Sequence, residues 1–441
     1  MGGKKRLSSF QTIILGFIAV ILVGTLLLLL PVSQQKGAEV SCLDALFTAT
    51  SATCVTGLIV ENTATCWSVF GQAVLLILIQ IGGLGVVTMT ASVALLSGRK
   101  IGLMQRSTMQ EALSVSKMSG IVRLTGFILK MTFIIELIGA CVMAPVFCGQ
   151  FGIGRGIWYA IFHSVSAFCN AGFDILGTDV PYSSLTGFTV QPVINIAIML
   201  LIVIGGIGFL TWDDIRTNHI HIKRYRMQSK VILTVSGILI LLPAIYFFFC
   251  EFADMPMGAR VYSSVFQSVT TRTAGFNTVD LGLLSEPGIM VMILLMLVGG
   301  SPGSTAGGLK TTTLAVLFGS AFSVFTRREH THFFGRRIGD DVVKRAATIF
   351  FMYIFLFVSG AIVISLAEGL PFMVCLFETA SAVGTVGLTL GITPGLGILS
   401  KLILIVLMFF GRVGGLTLIF ATIEGAKKTA SKLPQESLTI G

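Results

Sequence analysis

Charged side chains are scarce in this sequence. Lysine, arginine, aspartate and glutamate make up 11% of the 441 residues, whereas soluble domains carry about a quarter. Hydrophobic residues reach 54%, and the mean hydropathy is +0.92. This balance excludes a water-soluble fold, because no such fold could bury that much apolar surface.

Histidine and cysteine are also few, with five and eight residues. The cysteines show no paired two-residue spacing, and most lie inside or beside apolar runs, which indicates neither a zinc site nor a disulfide framework. A disulfide between Cys42 and Cys66 in the outer loops stays open from the sequence. Four histidines lie in basic loops and His163 stands alone, so no constellation for a membrane enzyme is present.

Long apolar runs dominate the chain instead. Each approaches or exceeds the roughly 20 residues that cross a bilayer, and spanning helices are therefore predicted at 12–30, 74–96, 193–210 and 401–420. The first run follows three basic residues, as a secretion signal would. Its apolar length is too great for a signal and no small-residue cleavage site follows, so we expect a helix of the mature protein.

The net charge of +10 reflects an arrangement across a membrane. Of the 30 basic residues, 23 lie at the two ends of the chain and in the segments 99–130, 216–230 and 327–345. The intervening segments hold few, so the positive-inside rule places both termini in the cytoplasm. Nucleic acid is therefore not an expected partner.

The loops on the opposite side are acidic. Carboxylates there would raise the local cation concentration at an outer mouth, which makes a cation the expected guest. Eleven are assigned to this side: Glu39, Asp44, Glu61, Asp174, Asp179, Glu251, Asp254, Asp280, Glu286, Glu368 and Glu378.

A fourfold internal repeat organises the chain. Short polar segments run from Phe47 to Gly57, Phe162 to Gly172, Phe266 to Gly275 and Phe377 to Gly387. Their glycines are 115, 103 and 112 residues apart, and each segment lies between two longer apolar helices. The repeat predicts an all-α membrane protein of four M1–pore helix–M2 units around a central pore with pseudo-fourfold symmetry. The units are expected at 1–98, 99–216, 217–328 and 329–441, the last including a cytoplasmic tail.

Each repeated segment is too short and too polar to cross the bilayer. A half-helix that enters and returns as extended backbone fits better, because unpaired backbone at membrane depth survives only beside a water-filled path or inside protein. Carbonyl oxygens from four such returns can replace the hydration shell of potassium, and glycine permits the backbone geometry. One glycine alone would favour an ordinary turn, but four at matching positions favour a pore.

The helix after the third segment differs from the others. Residues 298–308 contain five glycines and a proline, which predicts a break in mid-helix beside a water-filled cavity. We interpret this stretch as a candidate gate, and we expect the glycine clusters at 81–85 and 204–208 to serve close helix packing. A phosphate-binding loop is not predicted, because Leu309 separates the last glycine from Lys310.

Arg412 lies in the last apolar run, where an ionised side chain is costly and marks a function by default. Two interpretations have equal weight at this point. The arginine forms an electrostatic barrier on the ion path, or it bonds backbone carbonyls and locks helices together. Glu136 and Lys310, the other charges within the membrane, are interpreted as packing or snorkelling residues.

Together these features resemble the TrkH/KtrB/HKT superfamily of potassium transporters. The resemblance covers nearly the whole chain and is carried by the four glycine-bearing half-helices, the segment 272–277 (Arg-Thr-Ala-Gly-Phe-Asn) and the run 299–312. A single spanning helix before the first half-helix places the chain near the KtrB branch, the membrane subunit of the Ktr potassium uptake system.

The resemblance implies potassium uptake across a bacterial plasma membrane through a gated, channel-like pore. It implies a potassium filter made of Val55, Thr56, Gly57, Asn170, Ala171, Gly172, Thr273, Ala274, Gly275, Thr385, Val386 and Gly387. It implies a gate made of Gly299, Gly300, Ser301, Pro302, Gly303, Ser304, Thr305, Ala306, Gly307 and Gly308, with Arg412 as a barrier.

The resemblance also implies partners. These are a second copy in a homodimer, a cytosolic ring of nucleotide-binding subunits of the KtrA or TrkA kind, and sodium as an ion that enhances uptake. The basic loops 99–130, 213–230 and 325–345 would face the ring, with membrane lipid as a competing partner. The four filter strands differ chemically, so selection of potassium over sodium or rubidium is expected to be less stringent than in a pore of identical strands.

A coupled secondary transporter of another cation or small solute is the main alternative, since such proteins also use repeats and broken helices. All four repeats here share one orientation, with half-helices that end in glycine at the outer side. That arrangement favours the pore, and no enzymatic activity is predicted.

Overall fold

The chain is described here from a computed structural model that covers residues 8–96, 102–112, 120–178, 180–415 and 417. The predicted boundary at 98/99, the basic residues of the two termini and Asp179 lie outside the described residues. The described chain is almost entirely helical, which confirms the all-α prediction, and its only strands are β1 (His332–Phe333) and β2 (Arg336–Arg337), paired antiparallel.

The helices follow the predicted repeat of a long helix, a short central helix and a second apolar helix. The first unit contains α1 Ser9–Leu28, α2 Cys42–Thr53, α3 Thr63–Cys66, α4 Val69–Leu84 and α5 Val86–Leu96. The second contains α6 Leu103–Ala112, α7 Ile121–Phe151, α8 Ile153–Phe168, α9 Pro192–Gly206 and α10 Phe209–Asn218. The third contains α11 Met227–Tyr246, α12 Met257–Thr270, α13 Glu286–Leu297 and α14 Thr311–Phe325, and the fourth contains α15 Asp340–Glu368, α16 Phe372–Gly384 and α17 Ile398–Val413.

Short turns of helix complete the chain. A π-helical turn at Phe247–Glu251 extends α11, and 3₁₀ turns lie at Pro31–Ser33, Thr186–Phe188, Ile222–Arg224, Leu281–Leu283 and Thr393–Gly395.

Each unit has one long helix that is apolar enough to cross a membrane. These helices are Ser9–Leu28, Ile121–Phe151, Met227–Glu251 and Asp340–Glu368. Large apolar side chains point outward from them, with Leu26 66% exposed, Leu137 64% and Phe355 71%. An apolar surface of this extent suits contact with lipid rather than with water.

The central helices α2, α8, α12 and α16 form the interior. They have 12, 16, 14 and 13 residues, which at 1.5 Å per residue is too short to cross about 30 Å of hydrocarbon. The repeated phenylalanines Phe47, Phe162, Phe266 and Phe377 are fully buried and pack the four helices into the core.

The second apolar helix, which follows the central helix in each unit, is interrupted at glycine in more units than the third, where we predicted a break. Gly85 separates α4 from α5 at φ +84°, and Gly208 lies at the 97° bend between α9 and α10 with φ +91°. Gly414 follows α17 at φ +87°. Side chains disfavour this conformation, so glycine is required. The clusters at 81–85 and 204–208 therefore do more than serve the close packing that we expected, since each also contains a break.

Close packing also occurs in these clusters, one turn before each break. A Cβ on Gly82 would lie 2.0 Å from the carbonyl oxygen of Thr53, and one on Gly205 would lie 2.1 Å from that of Phe168. Gly411 has the same relation to Val383, at 2.2 Å. The glycines thus let the second helices touch the carboxyl ends of the central helices.

Candidate ion pathway

The four glycine segments that follow the central helices share one unusual backbone. The residue two before each glycine has a positive φ although it carries a side chain: Val55 56°, Asn170 57°, Thr273 67° and Thr385 52°. The glycines themselves have φ of 91°, 66°, 82° and 94°. Such residues are uncommon and concentrate at functional sites, where the surroundings enforce them. When left- and right-handed backbone conformations alternate along a segment, successive backbone groups of the same kind point to one side.

The segments close into a ring. A Cβ added to Gly57 would lie 2.5 Å from the carbonyl oxygen of Ala171, and one on Gly172 would lie 2.5 Å from that of Ala274. Continuing around, Gly275 faces the carbonyl of Val386 at 2.2 Å, and Gly387 faces that of Thr56 at 2.2 Å. Each glycine therefore touches the carbonyl that precedes the next glycine, and the fourth returns to the first.

A hydroxyl residue on each central helix holds its segment from behind. The N–H groups of Gly57 and Gly387 donate to the Oγ atoms of Ser51 and Ser381, at 3.1 and 3.0 Å. In the second and third units the hydroxyl donates instead, from Ser166 to the carbonyl of Phe173 at 2.7 Å and from Thr270 to that of Phe276 at 2.6 Å. These bonds fix the backbone of each segment to its own central helix.

A vestibule of about 450 Å³ opens on one side of the ring and is lined by all four glycines. Asp174 and Asp280, predicted to lie at the entrance, both line it. Burial raises the pKa of the Asp174 carboxyl to about 6, although the N–H of Leu176, at 3.2 Å, lowers it. The vestibule therefore presents carboxylates to an approaching cation.

The loop 298–310 lies on the opposite side of the ring, between α13 and α14. A Cβ on Gly307 would lie 2.2 Å from the Oγ1 of Thr385, and one on Gly299 would lie 3.0 Å from the Cγ2 of Thr273. The loop is tied to the second unit, because the N–H of Ser301 donates to the carbonyl of Gly206 at 2.9 Å. The predicted break in the second apolar helix of the third unit is thus present. It lies directly against the third and fourth glycine segments.

Arg412 is bonded to backbone carbonyls at two places. Its guanidinium donates to the carbonyl of Thr305 in the loop, and to the carbonyls of Gly82 and, at 2.9 Å, Gly83 at the end of α4. Lys310 donates to the carbonyls of Ala306 and Gly307 at 2.8 and 3.3 Å. Of the two interpretations of Arg412, the carbonyl bonding is present in the structure.

Several further predictions can be compared with the structure. Cys42 and Cys66 are free cysteines. Glu136 is 5% exposed, with the Sγ of Cys169 at 3.9 Å from its Oε1, as expected for an interior residue. The assignment of Glu378 to an outer loop was wrong: it lies on α16 and is fully buried, because Thr389, at 2.8 Å, and Thr393 donate hydroxyl hydrogen bonds to its carboxylate.

Glu378 belongs to a set of residues that sequence reasoning missed. The residue after each repeated phenylalanine is polar and at most 2% exposed: Thr48, His163, Gln267 and Glu378. Thr48 and His163 bond to carbonyls of their own helices, at 2.7 Å each, whereas Gln267 donates to the Oδ1 of Asn277 at 3.2 Å, beyond its helix, as Glu378 accepts from beyond its own. All four residues directly follow the repeated phenylalanine, and this shared position was the signal that the sequence offered.

The spanning helices around a vestibule and a ring of backbone segments define the class: a multi-pass α-helical membrane protein. The chain belongs to the TrkH family, described as "Cation transport protein", which matches residues 6–430. It is accordingly a transport protein and not an enzyme.

Named relatives cover almost all of the chain. It is 40% identical to the potassium/sodium uptake protein NtpJ of Enterococcus hirae, over 99% of this chain and 98% of that one. It is 37% identical to the Ktr system potassium uptake protein B of Bacillus subtilis, over 94% and 93%. The fold is that of the potassium transporter TrkH from Vibrio parahaemolyticus, with a TM-score of 0.77 at 19% identity over 95% of this chain and 85% of that one.

Proposed function

We propose that this chain is the pore-forming subunit of a Ktr- or Trk-type potassium uptake system. The observation that carries the proposal is the closed ring in which each glycine touches the carbonyl before the next glycine. The names of the relatives, potassium/sodium uptake protein and Ktr system potassium uptake protein B, support potassium as the transported ion.

In this proposal the ring is the selectivity filter, made of the residues 55–57, 170–172, 273–275 and 385–387. Carbonyl oxygens replace the water that potassium loses on entering. The buried hydroxyl oxygens of Thr56 and Thr385 have no hydrogen-bond partner among the described residues. Burial removes the hydrogen bonds that such an oxygen forms with water, and this costs free energy unless another partner replaces them. A dehydrated cation is a suitable replacement.

The loop 299–308 is the gate in this proposal. It lies against two filter strands and is held by hydrogen bonds from Arg412 and Lys310. Two cations below a filter oppose the passage of a third, so the loop closes the path both by its bulk and by its charge. Opening requires the loop to leave these bonds.

The remaining assignments of this proposal come from the charge distribution, for the termini, and from the resemblance to the family, for the dimer, the ring and sodium. The four units occupy 1–98, 99–216, 217–328 and 329–441, both termini lie in the cytoplasm of a bacterial cell, and the protein resides in the plasma membrane. The chain pairs as a homodimer on a cytosolic nucleotide-binding ring, and sodium enhances uptake. The Ktr names of the relatives support a multi-subunit system. A coupled secondary transporter is less supported, because the four segments converge on one axis.

Growth rescue tests the proposal. A bacterium that lacks its own potassium uptake should grow at micromolar to low millimolar potassium when it expresses this chain, and it should not grow with Gly275→Ser, whose Cβ would lie 2.2 Å from the carbonyl of Val386. Gly187→Ser is the matched control, since nothing lies within 4 Å of a Cβ there. Equal rescue by Gly275→Ser, at equal membrane expression, would contradict the filter assignment.

A further inference from the structure

A second cavity lies away from the pathway, on the outer surface between α14 and α15. It has a volume of about 360 Å³, in the range of roughly 300–1,000 Å³ typical of ligand sites. Its lining is wholly apolar and includes Leu317, Phe318, Ala321, Ala347, Phe350 and Phe351. Phe318 and Phe351 are 69% and 71% exposed, so the groove is open to the surroundings of the helices.

A cationic hairpin caps the end of this groove. Residues 326–339 join α14 to α15 and contain the ribbon β1–β2. The hairpin is fixed on α14, because Phe333 packs over Gly319, where a Cβ would come within 2.4 Å of its ring. The N–H of Ile338 donates to the carbonyl of Thr331 at 2.8 Å and closes its base. Cationic side chains on this element are therefore held in position relative to the groove.

Cations in this region outnumber carboxylates. Glu329, Asp340 and Asp341 pair with His330, Arg337 and Arg345 at 3.5, 3.9 and 3.5 Å. Within the described part of the chain, no ion pair involves Arg327, Arg328, Arg336 or Lys344. Four exposed positive charges are thus without a carboxylate partner, and the Nη1 of Arg328 lies 3.2 Å from the Nε2 of His332.

Two of these cations lie at the mouth of the groove. The guanidinium of Arg328 lies 5.9 Å from the ring centroid of Phe322, next to Ala321, so it folds back toward the apolar face of α14. Lys344 lies on α15 three residues before Ala347, on the same face one turn closer to the hairpin. An apolar slot with cations at its cytoplasmic end has the two parts of a phospholipid site.

We propose that this groove binds one anionic phospholipid of the phosphatidylglycerol type, with an acyl chain between α14 and α15 and its phosphate against Arg328 and Lys344. Acyl contact alone does not select one lipid, because every lipid offers hydrocarbon, so the cations select the charged headgroup. The proposal rests on the cytoplasmic orientation given above. A second copy of the chain is a poorer occupant, since it would bring an equally cationic hairpin to the same place.

Lipid retention by the full-length protein tests the site. The purified chain is equilibrated in detergent with equal amounts of phosphatidylglycerol and phosphatidylcholine, and bound lipid is counted by native mass spectrometry. We expect the retained ratio to favour phosphatidylglycerol and to fall about tenfold or more in the double variant Arg328→Gln/Lys344→Gln, because each cation near an anionic headgroup adds attraction. Both side chains are exposed, so the variant is expected to fold.

Two further variants separate the alternatives. Lys223→Gln/Arg224→Gln removes the same charge from another basic loop and should leave the ratio unchanged. Ala347→Trp fills the groove and should lower retention of both lipids. A wild-type ratio in the Arg328→Gln/Lys344→Gln variant would overturn the proposal, as would loss of the dimer in Ala347→Trp with unchanged lipid. Because retention does not depend on ion flux, failure here is distinguishable from failure of the transport proposal.

Discussion

Arg412 on α17 donates a hydrogen bond to the carbonyl of Thr305, in the middle of the loop that lies against the carbonyl ring. The same guanidinium reaches the carbonyls of Gly82 and Gly83. One side chain therefore joins the last helix, the end of α4 and the loop. The carbonyl of Thr305 lies in the broken helix and those of Gly82 and Gly83 at a helix terminus, where backbone carbonyls attract a cation. The carbonyl of Gly82 also accepts the N–H of Gly85 at 3.1 Å.

Replacing Arg412 by glutamine should increase potassium uptake. The loop loses a charge-assisted tether that contributes on the order of 2 kcal/mol, so its open arrangement should become more populated and the flux should rise by up to about thirtyfold. Rubidium uptake into cells that express the variant, normalised to protein in the membrane, measures the change.

Arg412→Lys distinguishes a tether from a barrier. Lysine keeps the charge but not the planar fork that bonds two carbonyls at once. A tether predicts raised uptake in both variants, whereas a purely electrostatic barrier predicts that lysine keeps uptake low. Lower uptake in Arg412→Gln than in the parent would contradict the proposed gate.

Removing the hydroxyl of Ser381 should weaken ion selection. Its Oγ accepts the N–H of Gly387, and Ser381→Ala leaves that buried donor unpaired at a cost of about 1–3 kcal/mol. The fourth strand is then less well fixed, and we expect the ratio of potassium to sodium uptake to fall several-fold. Competition of sodium with rubidium uptake gives this ratio.

Ser359→Ala is a suitable control for Ser381→Ala. The Oγ of Ser359 donates to the carbonyl of Leu356 within α15, away from the ring. It should keep the parent's selectivity. An unchanged ratio in Ser381→Ala would mean that the strand is held by its other contacts.

The sequence was sufficient to predict the repeat, the four glycines and the break between α13 and α14. These features depend on the hydrophobic period and on glycine and proline, which act locally. The positive φ of Val55, Thr273 and Thr385 could not be predicted, since valine and threonine ordinarily avoid that region, whereas Asn170 is of a type that enters it more often. The tertiary surroundings enforce it, through bonds such as that between Ser381 and Gly387.

The hydrogen-bond partners of buried polar residues could not be predicted from the sequence either. Glu378 was counted with the carboxylates of the outer loops, although carboxylates can be buried where they have partners. Its partners, Thr389 and Thr393, lie eleven and fifteen residues further on, across the glycine segment. Only the fold brings them back to the central helix.

External pH should control uptake through Asp174. With its pKa raised to about 6 by burial, the carboxyl is charged above that pH and neutral below it. Lowering the outside pH from 7.5 to about 5 therefore removes a negative charge from the vestibule, and potassium uptake at limiting concentration should fall with a midpoint near 6. Rubidium influx against pH measures it.

Asp174→Asn should have low uptake at pH 7.5 and lose the step near pH 6. Asp280→Asn removes a charge from the same vestibule and serves as the comparison, because it should lower uptake while keeping the step. A step that persists in Asp174→Asn would assign the titration to another group.

The ion pair between Asp44 and Lys401 should stabilise the fold, because it joins α2 to α17. The Nζ of Lys401 on α17 lies 2.7 Å from the Oδ1 of Asp44 on α2, and the two side chains are 14% and 15% exposed. Lys401→Met leaves the carboxylate unpaired in a largely desolvated place, which costs about 3 kcal/mol. Thermal unfolding of the detergent-solubilised protein should show a clearly lower midpoint.

The double variant Asp44→Ala/Lys401→Met removes both charges and should recover most of that loss, because an apolar pair needs no compensation for lost hydration. Recovery would assign the destabilisation of Lys401→Met to an unpaired charge rather than to lost packing. If the double variant is less stable than Lys401→Met, the carboxylate is satisfied by other groups, of which the Oγ of Ser41 at 2.6 Å is the nearest candidate.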